Sequence, residues 1–247
     1  MLVLFRHKIK RRGDEFDMKR DLRVKYLILF IILASVAFLS GCKIHFSTEV
    51  YVSDLLALKN GEEDIIYIPS TLKLQVISEE SYLESKDKIT RILKKYFGEL
   101  DRISYESNNF ESFYVAQLEV IAREGSGKGT PVEGGLFSFR VREDNKNIVL
   151  AVRFNNRLFK QLENEFFKEF SQTVDTKELH LSITMINDLR NDVKLVAQGV
   201  YIGGYPCPFG ASYTLKRREK IDIVFSDVLR DYLVNSEDVE FANIILE

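Results

Sequence analysis

The chain has no tryptophan, three histidines, two cysteines and four prolines in 247 residues. Two cysteines cannot make a disulfide framework. Three histidines leave little material for a metal centre, where several ligands must converge at short spacing. No Gly-x-Ser-x-Gly elbow is present, so nothing marks the nucleophile of a serine hydrolase. Gly125-Ser126-Gly127-Lys128-Gly129-Thr130 falls short of a phosphate loop. Gly129 separates the lysine from the hydroxyl that would reach magnesium, and no helical pattern follows. No internal repeat and no Ser/Gly-rich tether appears. The apolar run from Tyr26 to Leu39 is 14 residues long, short of the roughly 20 that a membrane-crossing helix needs.

That short run is the most informative feature. Lys19, Arg20, Arg23 and Lys25 precede it, and Leu39-Ser40-Gly41-Cys42 closes it. A charged start, a short apolar core and small residues at the cut make a secretory signal. The closing four residues resemble the lipobox of bacterial lipoproteins. The resemblance implies cleavage between Gly41 and Cys42, removal of residues 1–41, and lipidation (diacylglycerol and palmitate-type chains) on Cys42. The alternative reading is an uncleaved anchor helix with an incidental cysteine. Residues 1–17 fit the signal poorly, and Met18 followed by Lys19-Arg20 makes a better start, so 1–17 read as an upstream start extension. Lys43, where an aspartate would favour retention in an inner membrane, points to the outer membrane if the source is Gram-negative.

The segment before Cys42 holds nine Lys/Arg and four Asp/Glu, which leaves 26 of the 35 basic and 33 of the 37 acidic residues in the body. An acidic body argues against a nucleic-acid partner, because phosphate contacts need a basic footprint. No cofactor is implied. Once Cys42 is lipidated, Cys207 is left without a disulfide partner.

Residues 42–247 suit a single domain. Ile44, Phe46, Thr48, Val50 and Val52 alternate with polar residues, which predicts a strand beginning beside the lipidated cysteine. A short helix is expected from Ser53-Asp54 to Leu58, then strands over 65–68 and 72–77 broken by Pro69. The spacing of Tyr82, Ile89, Ile92, Leu93, Tyr96 and Phe97 predicts a helix ended by Gly98, and Leu158, Phe159, Leu162, Phe166 and Phe170 predict a second. Further strands are expected over 113–122, 136–141, 148–154, 179–186, 193–202 and 221–225. A short helix should follow from 226–227 to 233, and a strand or packed tail at 241–246. The expected fold is α+β, a mainly antiparallel sheet with two longer amphipathic helices and short helical turns.

Cys42-Lys43-Ile44-His45-Phe46-Ser47-Thr48-Glu49-Val50-Tyr51-Val52-Ser53-Asp54-Leu55 resembles the mature start of small bacterial envelope lipoproteins of unknown function. The resemblance implies a cell-envelope lipoprotein with one mixed α/β body and supplies no catalytic residue. Within the body, Ile202-Gly203-Gly204-Tyr205-Pro206-Cys207-Pro208-Phe209-Gly210 concentrates three of thirteen glycines and two of four prolines. Such a loop is stiff. Tyr205, Cys207 and Phe209 are candidates for a binding loop, the alternative being a structural turn that packs the two aromatics on its own core. His180 is expected on the solvent face of a strand. Lys216-Arg217-Arg218-Glu219-Lys220 reads as a solvated strand edge or a contact for anionic lipid. No catalytic and no metal-binding residues are assigned. The expected role is a membrane-anchored binding or accessory subunit with an envelope protein partner. Two alternatives are an envelope hydrolase with a dispersed site around His180 and a lipid or small-ligand carrier with its aromatics lining a cavity.

Overall fold

In β1 (Ile44–Tyr51), Ile44, Phe46, Thr48 and Val50 are buried while Glu49 is exposed, as expected of a strand with one face on a core. The computed structural model describes residues 42–108, 110–125, 135–145 and 147–246. The expected leader, including Gly41, lies outside the described residues, as do residues 126–134 of the glycine-rich turn.

β1 is flanked by β2 (Ile65–Val76), antiparallel to it, and β7 (Leu179–Ile186), parallel to it. From β2 the sheet runs through β4 (Ser112–Glu124), β5 (Phe137–Asp144), β6 (Asn147–Phe154) and β13 (Asp238–Ile245). β4 and β5 are parallel over three residue pairs. β3 (Asp101–Ser107) takes the same edge of β4 nearer its start. In the other direction β7 is followed by β12 (Lys220–Phe225) and β9 (Val200–Ile202).

One hairpin joins the two ends of this path. β8 (Val193–Ala197) and β9 are successive parts of its outgoing arm, interrupted at Gln198–Gly199. β10 (Tyr205–Cys207) and β11 (Ala211–Leu215) form its return. β8 pairs with β13 and β9 with β12, so the hairpin draws thirteen strands into a nearly closed, barrel-like sheet. Gly203 and Gly204 have φ of 54° and 86°, the two left-handed residues that a type I′ turn requires. Gly199 is left-handed as well, and a Cβ on it would stand 3.2 Å from Leu229 Cδ1. Its carbonyl accepts from the Ser226 N–H at 3.1 Å and the Ser226 hydroxyl at 2.5 Å.

Four α-helices accompany the sheet among the described residues: α1 (Val52–Lys59), α2 (Glu79–Phe97), α3 (Asn156–Phe170) and α4 (Asp227–Ser236). Ser78, Asn155 and Ser226 cap the last three by accepting a backbone N–H with their side chains. α1 buries Val52, Leu55 and Leu58 and touches β1, β2, β4, β5 and β6. Phe46 of β1 stacks on Phe137 of β5 at 4.6 Å, although β2 and β4 separate these strands in the sheet. The curl of the sheet therefore closes on an aromatic core, which Phe97, Phe154 and Phe159 extend.

This architecture overturns the expected α+β fold with two longer helices and helical turns. Strand accounts for 48% of the described residues and helix for 28%. All thirteen strands among the described residues enter one sheet, and α1 and α4 are packed helices of eight and ten residues. The helical periodicities of α2 and α3 are local and strong, whereas the pairings that join distant hairpins leave no local trace. Pro69 does not break β2, which runs unbroken from 65 to 76 opposite β4. Pairing of β2 with β1 stops at Ser70, so Pro69 has an open edge where a missing N–H is tolerated.

Gly199→Ala should lower unfolding stability by about 1–2 kcal/mol through its left-handed backbone alone, with a further loss from the Leu229 contact. Gly203→Ala has open space around its Cβ and should lose the backbone part alone. Urea titrations of the two variants test the comparison, and equal losses would contradict the closing role of residue 199.

Candidate binding surface

The return arm of the hairpin positions the residues singled out in the 203–210 segment. Tyr205 pairs with Ile202 and Cys207 with Val200. Cys207 turns inward, its thiol 3.6 Å from the Tyr205 carbonyl oxygen. Tyr205 is 78% exposed and Phe209 89%, so neither packs on the chain's own core. Neighbouring elements carry further exposed apolar side chains. Tyr201 of β9 lies opposite Pro206 and Val224 of β12 opposite Tyr201, both exposed on the face of the sheet away from Tyr205 and Cys207. α4 adds exposed Val228 and Tyr232. Tyr201 and Tyr232 were not singled out in the sequence. The alternation Val200-Tyr201-Ile202 held the signal for the first, with buried residues on either side of it.

An open groove of about 490 Å³ borders this surface, lined by Pro208, Phe209, Leu229 and Tyr232 together with Arg140 and Asp238. Register places Arg153 of β6 beside Asp238 of β13. Arg140 of β5 holds Asp238 by a fork, Nε to Oδ2 at 3.2 Å and Nη2 to Oδ1 at 2.9 Å, and donates from Nη1 to the Gly125 carbonyl at 3.3 Å. Arg153 Nε stands 3.4 Å from the same carboxylate. Arg140 and Asp238 side chains are 5% and 10% exposed. A buried, two-sided fork of this kind fixes geometry more than it adds stability. The groove thus pairs an aromatic margin with rigid charge, the combination found at protein interfaces.

At the other candidate position, the Cys42 N–H donates to the Thr173 carbonyl at 2.9 Å and its thiol points at Gln172 Oε1, 3.3 Å away. Burial pushes this thiol above its ordinary pKa, so it has little thiolate character of its own. Lys43 Nζ is 2.5 Å from Glu111. The sequence did not bring His45 and His180 together, yet the parallel register of β1 and β7 places them side by side. Their rings stack at 4.6 Å, and Phe113 meets His45 edge-on at 5.3 Å. His180 is exposed. Among the described residues neither ring is hydrogen-bonded to a serine or a carboxylate, and His45 Nε2 is buried without a partner. Lys216, Arg217 and Arg218 form an ordered turn between β11 and β12 rather than a strand edge. Glu219 accepts from Tyr213 Oη and the Lys216 N–H, and Asp192 accepts from the Arg217 N–H.

Among the described residues no three His, Cys, Asp or Glu side chains come together as metal ligands, and no helix is long and apolar enough to cross a membrane. Residues 44–246 match a family described as a domain of unknown function, DUF7424. The chain belongs to this family. The matched segment starts at the first residue of β1 and ends one residue beyond β13, so the DUF7424 domain and the described body coincide. Neither a curated protein nor a solved structure matches the chain.

Burial, and after it the neighbouring His180, holds His45 below its ordinary value of 6.5, with Lys43 and Lys73 acting in the same direction and Glu111 against it. The unfolded chain then takes up this proton at a higher pH than the folded chain does. Stability tied to neutral His45 is complete above pH 6.5 and is lost as pH falls below it. His45→Phe should flatten the fall in stability between about pH 7 and about pH 5, measured by denaturant unfolding at each pH. An unchanged slope would count against the buried, neutral imidazole.

Proposed function

We propose that this DUF7424 chain is a cell-envelope lipoprotein, acylated on Cys42, that binds an envelope protein through the aromatic surface of its 203–210 hairpin. The observation that carries the binding role is the exposure of Tyr205 and Phe209 on a hairpin tied into both ends of the sheet. Tyrosine and other aromatics supply large contact area at low entropic cost, and they dominate the energetics of interfaces. Tyr232 of α4, also exposed, lines the same groove as Phe209. Hiding apolar area from water yields about 25 cal/mol per Å², so a monomer gains by covering such a patch.

An accessory or binding role fits this arrangement better than the two alternatives. His180 stands on the open face of the sheet. The phenylalanines that a carrier would need around a cavity stack on one another from Phe46 through Phe137 to Phe159. Envelope attachment is supported by the Leu39-Ser40-Gly41-Cys42 sequence and by the short apolar run before it.

A photo-crosslinking residue at position 209 should capture one envelope protein of defined mass in intact cells. The same residue at exposed Ser104 of β3, a strand that pairs with β4 and lies far along the sheet from β9, should not. Tyr205→Ser should reduce the adduct by roughly tenfold or more, the scale of an interface hot spot, while leaving the unfolding midpoint unchanged because Tyr205 is exposed. Equal capture at both positions, or none at 209, would refute the assigned surface.

A further inference from the structure

The surface around Cys42 carries its own apolar side chains. Three segments contribute one each. Ile77 is 77% exposed, Phe110 is 94% exposed and Phe167 is 55% exposed. Ile77 follows the end of β2, two residues after Gln75, whose N–H donates to the Lys43 carbonyl at 2.9 Å. Phe110 donates its N–H to Asn108 Oδ1 and precedes Glu111, whose carbonyl accepts the Asn108 N–H and whose side chain binds Lys43. Phe167 lies in the last turn of α3, five residues before Gln172, the partner of the Cys42 thiol. A groove of about 290 Å³ beside Cys42, between the end of β2, α2 and α3, is lined by Val76, Ile77, Phe166 and Phe170 together with Glu84 and Lys88 of α2.

The occupant of this surface follows from the chain that precedes it. The 41 residues before Cys42 include the apolar run Tyr26–Leu39, which stops three residues short of it. Cleaved and acylated, or retained, that segment brings residue 42 to the face of a bilayer. Lipid chains on Cys42 would do so by burying methylenes at about 0.8 kcal/mol each. No slack separates residue 42 from the fold, since its own N–H is bonded to Thr173 and β1 starts two residues later. Whatever surrounds Cys42 must then meet the same bilayer. The charges nearby are of both signs and paired, as in Lys43 with Glu111 and Lys88 with Glu169, so attraction to anionic lipid is not the driving force.

We propose that Ile77, Phe110 and Phe167 seat the body directly on a phospholipid bilayer, entering the headgroup–acyl boundary around Cys42 and fixing the orientation of the domain. This rests on the reading of residue 42 as the membrane attachment point and adds to it a contact surface and an orientation. Apolar faces of peripheral proteins lie about 5–10 Å into that boundary.

The full chain, purified from bacterial membranes and reconstituted into phosphatidylcholine vesicles, allows a direct test. Single cysteines at positions 77, 110 and 167 take an environment-sensitive dye, the buried Cys207 staying unlabelled. A control cysteine replaces Asp64, which precedes β2. Ile65 lies about 30 Å along that strand from Leu74, the partner of Ile44. Dyes at 77, 110 and 167 should shift to the blue and be quenched by nitroxide-bearing lipid, and the dye at 64 should do neither. If the protein floats with the vesicles but 110 and 167 behave as 64 does, the seat is refuted and the attachment stands. Failure of the protein to float with the vesicles would refute the attachment, and the seat with it.

Discussion

The bond from the Cys42 N–H to the Thr173 carbonyl is the constraint on which the rest of the structure's meaning depends. With the Lys43 contacts to Gln75 and Glu111, it fastens the start of the body to three separate segments before the first strand begins. Ile44 then enters β1, a strand paired on both sides within the sheet. A lipoprotein attached through a flexible linker samples many orientations, and a linker's reach grows with the square root of its length. Here that length is close to zero. If residue 42 is the attachment point, as proposed, the fold itself sets which surface faces the membrane and which faces a partner.

The second constraint is the way the sheet closes. The hairpin of β8 to β11 pairs with β13 at one end and β12 at the other, and the same hairpin displays Tyr205 and Phe209. A loop added to a finished scaffold can move without cost to the core. This one cannot, because Gly199 in its outgoing arm is packed against Leu229 and bonded to Ser226. Rigid presentation lowers the entropy lost on binding, which offsets the cost of keeping aromatic surface in water. Arg140 and Asp238 at the adjoining groove act in the same sense, since a buried fork has one geometry. From β1 to β10 the sheet steps across four strands, about 19 Å at the usual spacing.

Much of this was legible in the sequence wherever the signal is local. The alternation in β1, the amphipathic spacing of α2 and α3 and the capping residues Ser78, Asn155 and Ser226 each announce themselves within a few residues. The concentration of glycine and proline at 203–210 marked the displayed loop, although β10 and its two-residue turn were hidden inside it. What sequence could not convey was pairing over distance. The parallel register of β1 with β7 stacks His45 on His180 across 135 residues, and the closure of the sheet depends on β8 and β9 choosing different partners. β3 was missed because Ile103 and Tyr105 are its half-buried residues and its other five are exposed, leaving a weak alternation. The Arg140–Asp238 fork joins residues almost a hundred positions apart, and nothing near either residue foretells it.

The attachment at residue 42 is most directly tested by the covalent state of the chain recovered from bacterial membranes. Mass spectrometry of its N-terminal peptide should find Cys42 as the first residue, with a diacylglyceryl thioether on its sulfur and residues 1–41 removed. A chain that still carries Gly41 and the preceding segment, or one that begins at Cys42 without lipid, would contradict the account.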